Sequence, residues 1–320
     1  MTPPYYRELG IEVELAVLVG AAELEDGLRG GETAIADDVW DAAPSLAGWD
    51  VVIAHGPLPV PVSVLRLSID ASQPDAALWE RLRPLVGRVA VPSASYGPPG
   101  VEAVELPEAI DPLSPRCADL PVALAGSLLR ARGVDTARPC CCMLRAFDSW
   151  QDPQDVLDGF AMAKTELPQL QLVLAGDEAW GPLREVFDYA QEQEDVVLVN
   201  HASDVELNAL GQIARAALES SLAPGPHVPT LETLWKRTPV IAAGRRGAAH
   251  PVRDGRDGYL VDSPEQAAER LVELVRDPSL AIELGDSGQD LVREKHLVTG
   301  RLADELELVS AARAATLQSP

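Results

Sequence analysis

The chain has 320 residues, 47% of them hydrophobic, which is enough for two ordinary domains, each with its own core. No apolar run approaches the ~18 residues of a membrane span, and the opening MTPPYYRELG lacks a basic-then-apolar leader, so a cytoplasmic protein is expected. The net charge of −24 is shared between residues 1–130 (−11) and the remaining 190 (−13). Such a surface repels nucleic acid and anionic membranes and weakly opposes any anionic ligand.

In chain order, Ile11–Val19 and Val51–Ala54 read as strands, the second running into the turn signal His55-Gly56-Pro57. Helical periodicity covers Ala76–Val86 and a strand is expected over Val89–Val91. After the turn-rich Ser93–Gly100, the Pro-marked stretch Leu106–Ser114 suits a crossing between domains. From Pro139 on, strands and helices alternate. Strands are expected at Cys140–Leu144, Gln171–Ala175, Val196–Val199, Pro239–Ala243 and Tyr259–Val261, and helices at Pro153–Glu166, Trp180–Glu192 and Asp204–Ile213. Ser263 caps a further helix with Pro264 in its first turn, and everything from Ser279 onward reads as helix. This alternation predicts α/β units with parallel sheets covered on both faces. The expected division is 1–130, 131–295 and a C-terminal helix at 296–320 that returns to the first domain.

Cys117 and Cys140–Cys142 lack metal-ligand spacing, so they read as reduced thiols acting as small apolar residues. Neither a cofactor nor a metal is expected.

The segment Ala216–Lys236 (AALESSLAPGPHVPTLETLWK) reads as a short strand, a Gly/Pro loop and a helix, followed at once by the strand PVIAAG. In a doubly wound domain such a loop faces the crevice at the strand ends, where ligands bind. The segment resembles the donor-sugar loop of retaining nucleotide-sugar glycosyltransferases. Further pieces run in matching order: Trp49–Val52 with His55 and Pro57, Ile69–Ser72 with Pro74, WERLRP at 79–84, Ile110–Ser114, Phe147-Asp148 with Trp150, Asp152 and Pro153, LVLAG at 172–176, Asn208–Leu210, Leu234–Lys236, Asp254–Gly258 and Thr299–Leu302. Together they resemble the trehalose-forming glycosyltransferases, which join a nucleotide-activated glucose to free glucose with retention. The resemblance implies a GT-B fold of two Rossmann-like domains facing a crevice. The family's first strand and Gly-rich loop have no match here, so a pared-down N-terminal domain is expected.

Several departures matter. In the family, an arginine and a lysine neutralise the leaving diphosphate, and the positions that match them are Ala146 and Ser220. The glutamate that addresses the donor sugar's hydroxyls is Pro224. Pro224, Pro226 and Pro229 also remove backbone N–H donors from the mouth of the helix, where an anion would bind. Losing one preorganised donor costs about 2.7–4 kcal/mol, so losing both cations slows transfer roughly 10⁴–10⁶-fold if the losses add. The loop pattern keeps Ser221, Gly225, Glu232 and Leu234–Lys236; the resemblance gives Glu232 the ribose hydroxyls, whereas helix capping would also account for it. His227, Arg245 and Arg246 stand near the crevice as further donor-side candidates, against an ordinary reading as solvated loop residues. Arg145, next to Ala146, is expected on the opposite strand face. His55 and Asp70 are acceptor-side candidates in the same resemblance. Trp235 and Lys236 read as packing and a solvated helix end.

The expectation is a degenerate glycosyltransferase serving as a binding or assembly module. A homo-oligomer or a complex with another protein would cover the N-terminal sheet left open by the missing strand. The alternatives are an active glucosyltransferase with rearranged phosphate contacts, and a sugar or nucleotide sensor without catalysis.

Overall fold

A computed structural model describes residues 53–54, 62–66, 79–80, 83–93, 97–98, 100, 103–146, 151–176, 184–220, 227–243 and 250–318. Its strands form two parallel sheets. The first contains β1 (Ile53–Ala54), β2 (Val62–Arg66), β3 (Val86–Val91) and β4 (Ala103–Glu105), in that order. The predicted helix over Ala76–Val86 does not run to its end: Arg83–Leu85 is a 3-10 turn and Val86 opens β3. Pro84 supplies no N–H for a helical ladder, which favours the change.

Helix α1 (Val122–Ala131) leads into the second unit. There β5 (Cys140–Leu144), α2 (Pro153–Glu166), β6 (Gln171–Gly176), α3 (Arg184–Glu192), β7 (Val196–Asn200), α4 (Asp204–Ile213), β8 (Ala216–Glu219), α5 (Val228–Trp235), β9 (Val240–Ala243) and β10 (Gly258–Val261) follow in turn. The sheet order is β10-β9-β8-β5-β6-β7, every pair parallel. Helices α6 (Pro264–Arg276), α7 (Pro278–Lys295) and α8 (Val298–Gln318) close the chain.

Local chemistry explains these boundaries. Asp152 caps α2 ahead of Pro153, Ser203 and Glu206 form a reciprocal capping box on α4, and the Ser263 hydroxyl accepts the Gln266 N–H at the start of α6. In the Asp254–Gly258 turn, the Asp254 carboxylate accepts the Leu260 N–H at 2.9 Å. A side chain at Gly258 would stand 1.9 Å from the Val240 carbonyl, so β9 and β10 meet closely only because glycine is there.

Both faces of the second sheet are buried. Cys141 lies in a cluster with Phe160, Leu172, Leu271 and Leu274, while Cys140 and Cys142 lie in another with Leu129, Val173, Leu210 and Leu231. All four cysteines are free and buried. Burial pushes the Cys140 thiol up to about 11 and Cys142 still further, which keeps both protonated and apolar.

From its midpoint on, α8 packs Leu308 and Ala312 against Val64, Ala90 and Leu106. The crossing stretch is tied to the same region. Ile110 pairs with Leu297, its N–H reaching the His296 carbonyl at 2.8 Å, and buried Arg301 donates to the carbonyls of Leu106 and Pro107. No helix among the described residues is long and apolar enough to cross a membrane.

Candidate functional site

The carboxyl ends of β5, β8 and β9, with the start of α5, form the site's floor. At the end of β5, Arg145 adopts a left-handed φ of 55°, so strand alternation no longer governs where its side chain goes. Its charge makes a small contribution at Glu232, lowering that carboxyl's pKa. Ala146 is fully buried in the core, its N–H bonded to the Ala175 carbonyl at 3.0 Å. Ser220 is also buried. Its hydroxyl reaches Asp155 Oδ2 at 3.3 Å and its carbonyl accepts the Asp152 N–H at 2.7 Å, which ties the end of β8 to the start of α2. Both positions are thus built into packing and capping.

His227 occupies the N-cap of α5, and its N–H donates to Glu108 Oε2 at 2.7 Å. Burial raises the Glu108 carboxyl above its usual range, although the His227 N–H works against that. Beside it stands Glu219, the last residue of β8. Its Oε1 lies 3.4 Å from His250 Nε2 and 3.7 Å from His227 Nδ1, and its Oε2 accepts the Thr230 hydroxyl. The two imidazoles meet edge-on, with centroids 4.7 Å apart at 71°. Burial opposes the charged form of Glu219, yet the two histidines hold its carboxyl well below the usual range. The mouth of α5, where a helix dipole favours an anion, is therefore already furnished with two carboxylates of the chain itself.

Glu232 lies one turn further along α5, buried, with Arg116 Nη1 at 3.2 Å from its Oε2. Arg116 also donates through Nε to Asp204 at 2.7 Å. Burial raises the Glu232 carboxyl, and Arg116 partly offsets the rise. Lys236 is not a solvated helix end. Its ammonium donates to the carbonyls of Cys117 and Ala118, and the Trp235 indole N–H reaches Cys117 at 3.2 Å. Asn208 holds the Pro115 and Ala118 carbonyls at 2.8 Å each. The segment 115–118, which follows the crossing stretch, is clamped onto α4 and α5 by these donors, a role that sequence position alone did not reveal.

Of the sequence-derived candidates, His227 and Glu232 share the α5 region with Ser220, and Ala146 sits in the core behind it. His55, Asp70, Pro224, Gly225, Arg245 and Arg246 lie outside the described residues. Glu108, Arg116, Glu219 and His250 join the site without having been singled out from sequence. Glu219 directly ends a strand at the donor-like loop, which was the available signal. His250 is 31 residues away, before Pro251, and nothing local connects the two.

A family model described as glycosyl transferases group 1 matches residues 129–291. A trehalose synthase of Rubrobacter xylanophilus is 31% identical, over 95% of this chain and 84% of its own length. A trehalose synthase of Pyrococcus horikoshii is 25% identical, over 96% of this chain and 84% of its own. Among solved structures, HepE of Anabaena in complex with UDP-glucose superposes with a TM-score of 0.66 at 17% identity, covering 78% of this chain and 72% of that one. Sucrose-phosphate synthase of Thermosynechococcus elongatus gives 0.62 at 19%, covering 79% and 68%. The α/β architecture with two parallel sheets is that of the GT-B glycosyltransferases.

Proposed function

Since the chain belongs to the glycosyl transferases of group 1, we propose that it is a degenerate member, which keeps the GT-B scaffold as a cytoplasmic binding or assembly module and does not carry out ordinary nucleotide-sugar transfer. One observation carries this reading: the mouth of α5 is filled by the chain's own acidic groups. Glu108 takes the His227 N–H, and Glu219 lies against both histidines. A diphosphate arriving there meets two carboxylates at the point where its charge needs neutralising. The neighbouring replacements support the same conclusion. Ala146 is core, and Ser220 is tied to Asp155. Glu232, the remaining residue assigned to ribose, is held by Arg116.

A sugar or nucleotide-sugar can still be the ligand of such a module, and HepE, a fold relative, was solved with UDP-glucose. A second copy of the chain or another protein is the proposed partner. The deciding experiment incubates the protein with a panel of nucleotide-glucoses and free glucose and follows disaccharide by chromatography. No product above background is expected. Turnover that disappears in the Arg245→Ala/Arg246→Ala double variant would establish an active transferase with rearranged phosphate contacts instead.

A further inference from the structure

Two histidines and a glutamate from three separate segments converge beside α5. Glu219 comes from the end of β8, His227 from the N-cap of α5 and His250 from the segment before Pro251, and their ligand atoms all lie within 4.8 Å of one another. The side chains are 17%, 11% and 10% exposed, so the cluster is built into the protein rather than spread over its surface. From this geometry we infer that Glu219, His227 and His250 form a binding site for one divalent zinc ion.

The distances are longer than those of well-formed hydrogen bonds and lie near those between ligands that share one metal. Oε1 of Glu219 stands 3.4 Å from His250 Nε2 and 3.7 Å from His227 Nδ1. Both exceed the 2.7–3.2 Å usual for an N–H···O bond. With metal–ligand bonds of ~2.0–2.1 Å, neighbouring ligands of a tetrahedral zinc lie roughly 3.3–3.4 Å apart; the two Glu219–histidine distances come near this, and all three ligand atoms lie within 4.8 Å of one another. Two imidazoles and a carboxylate are a ligand set that zinc takes readily, with a fourth position left for water or an anion. The outer shell is supplied as well, because the Thr230 hydroxyl donates to the other carboxylate oxygen of Glu219 and fixes its plane. One contact must yield. The Val252 N–H donates to His250 Nδ1 at 3.2 Å, which places the proton of the neutral ring on Nε2. Binding through Nε2 therefore requires the proton to move from Nε2 to Nδ1 and the ring to turn away from the Val252 amide, so that Nε2 offers its lone pair to the metal.

This assignment bears on the functional reading, which describes the metal-free chain, because bound zinc would neutralise Glu219 at the mouth of α5; its test is nevertheless separate, since no sugar is present. A tag-free full chain, stripped with a chelator, is titrated with Zn²⁺ by calorimetry and with Co²⁺ by visible absorption. One metal per chain is expected, with the intense visible bands of four-coordinate cobalt and a zinc-dependent rise in Tm. His250→Ala and Glu219→Gln should each weaken binding by more than the roughly 10–100-fold that loss of an outer-shell partner costs, while His201→Ala, at an exposed histidine outside the cluster, should leave it unchanged. Should a cluster variant fail to fold, the wild-type stoichiometry, cobalt spectrum and Tm shift decide the matter. Absence of saturable binding, weak bands typical of six-coordinate cobalt, or undiminished affinity in folded cluster variants would overturn the assignment.

Discussion

Arg116 and Glu232 offer a direct measure of how firmly the segment after the crossing stretch is held on the second unit. Arg116→Met removes the guanidinium but keeps an apolar stem of comparable reach, and leaves the buried Glu232 without its nearest cation. Two unit charges 3.2 Å apart attract by about 5 kcal/mol at an effective dielectric of 20. The Arg116 side chain is 31% exposed and is shared with Asp204, so screening and competition reduce the expected coupling to about 1–2 kcal/mol. Urea denaturation of the wild type, Arg116→Met, Glu232→Gln and the double variant yields that coupling as a cycle. The sign with pH is fixed. Burial already raises the folded Glu232 carboxyl, so this group favours the folded state at low pH and disfavours it as pH rises through the folded pKa. Removing Arg116 raises that pKa further, so the variant's deficit is largest near neutrality and shrinks towards acid. Additive losses within about 0.3 kcal/mol, or a deficit independent of pH, would refute the reasoning.

Other perturbations test the frame around the site. Arg138 and Lys164 converge on Asp195 and hold its carboxyl at about 2; the stability this gives is complete above the unfolded carboxylate pKa and is lost as pH falls from about 4 to 2. Asp195→Asn, which tolerates the left-handed φ of 66°, should therefore cost about 1 kcal/mol near neutrality in a denaturation series, with the difference vanishing in acid. Gly285→Ala should invert the usual helix preference, because its Cβ would stand 2.0 Å from the Arg237 carbonyl: a loss of about 2–3 kcal/mol is expected where alanine normally helps. Lys236→Met removes one of the two donors from each of the Cys117 and Ala118 carbonyls, leaving Trp235 and Asn208 as the other, and should cost about 1 kcal/mol by the same assay.

Much of the second unit was legible because its signals are local. Ser263-Pro264 opens a helix through one hydroxyl and one fixed φ, and Cys140–Leu144 is short, apolar and bounded by Pro139 and Arg145. Strand β2 was not singled out, because Pro59 and Pro61 crowd its start and its valines alternate over five residues only. Three-residue β4 leaves almost no pattern to read. The roles of Lys236, Arg116 and Glu108 depend on contacts made about 120 residues away, so no window of sequence could show them. The left-handed φ of Arg145, just past the end of β5, is likewise a backbone feature that strand alternation does not announce.

The four cysteines give the chain an internal reporter. Each thiol is buried, and the three on β5 lie between two packed layers in the middle of the larger sheet. A soluble thiol reagent cannot reach Cys140–Cys142 while that sheet is intact, so the labelling rate under native conditions counts openings of the core rather than motions of surface loops. Measured with rising urea, the rate for Cys141 should converge on that of global unfolding, while Cys117, in the clamped segment after the crossing stretch, should respond earlier whenever the Lys236 and Asn208 contacts are weakened. Mass spectrometry of the labelled peptides would thus time the release of the clamp separately from the collapse of the sheet, within one native chain.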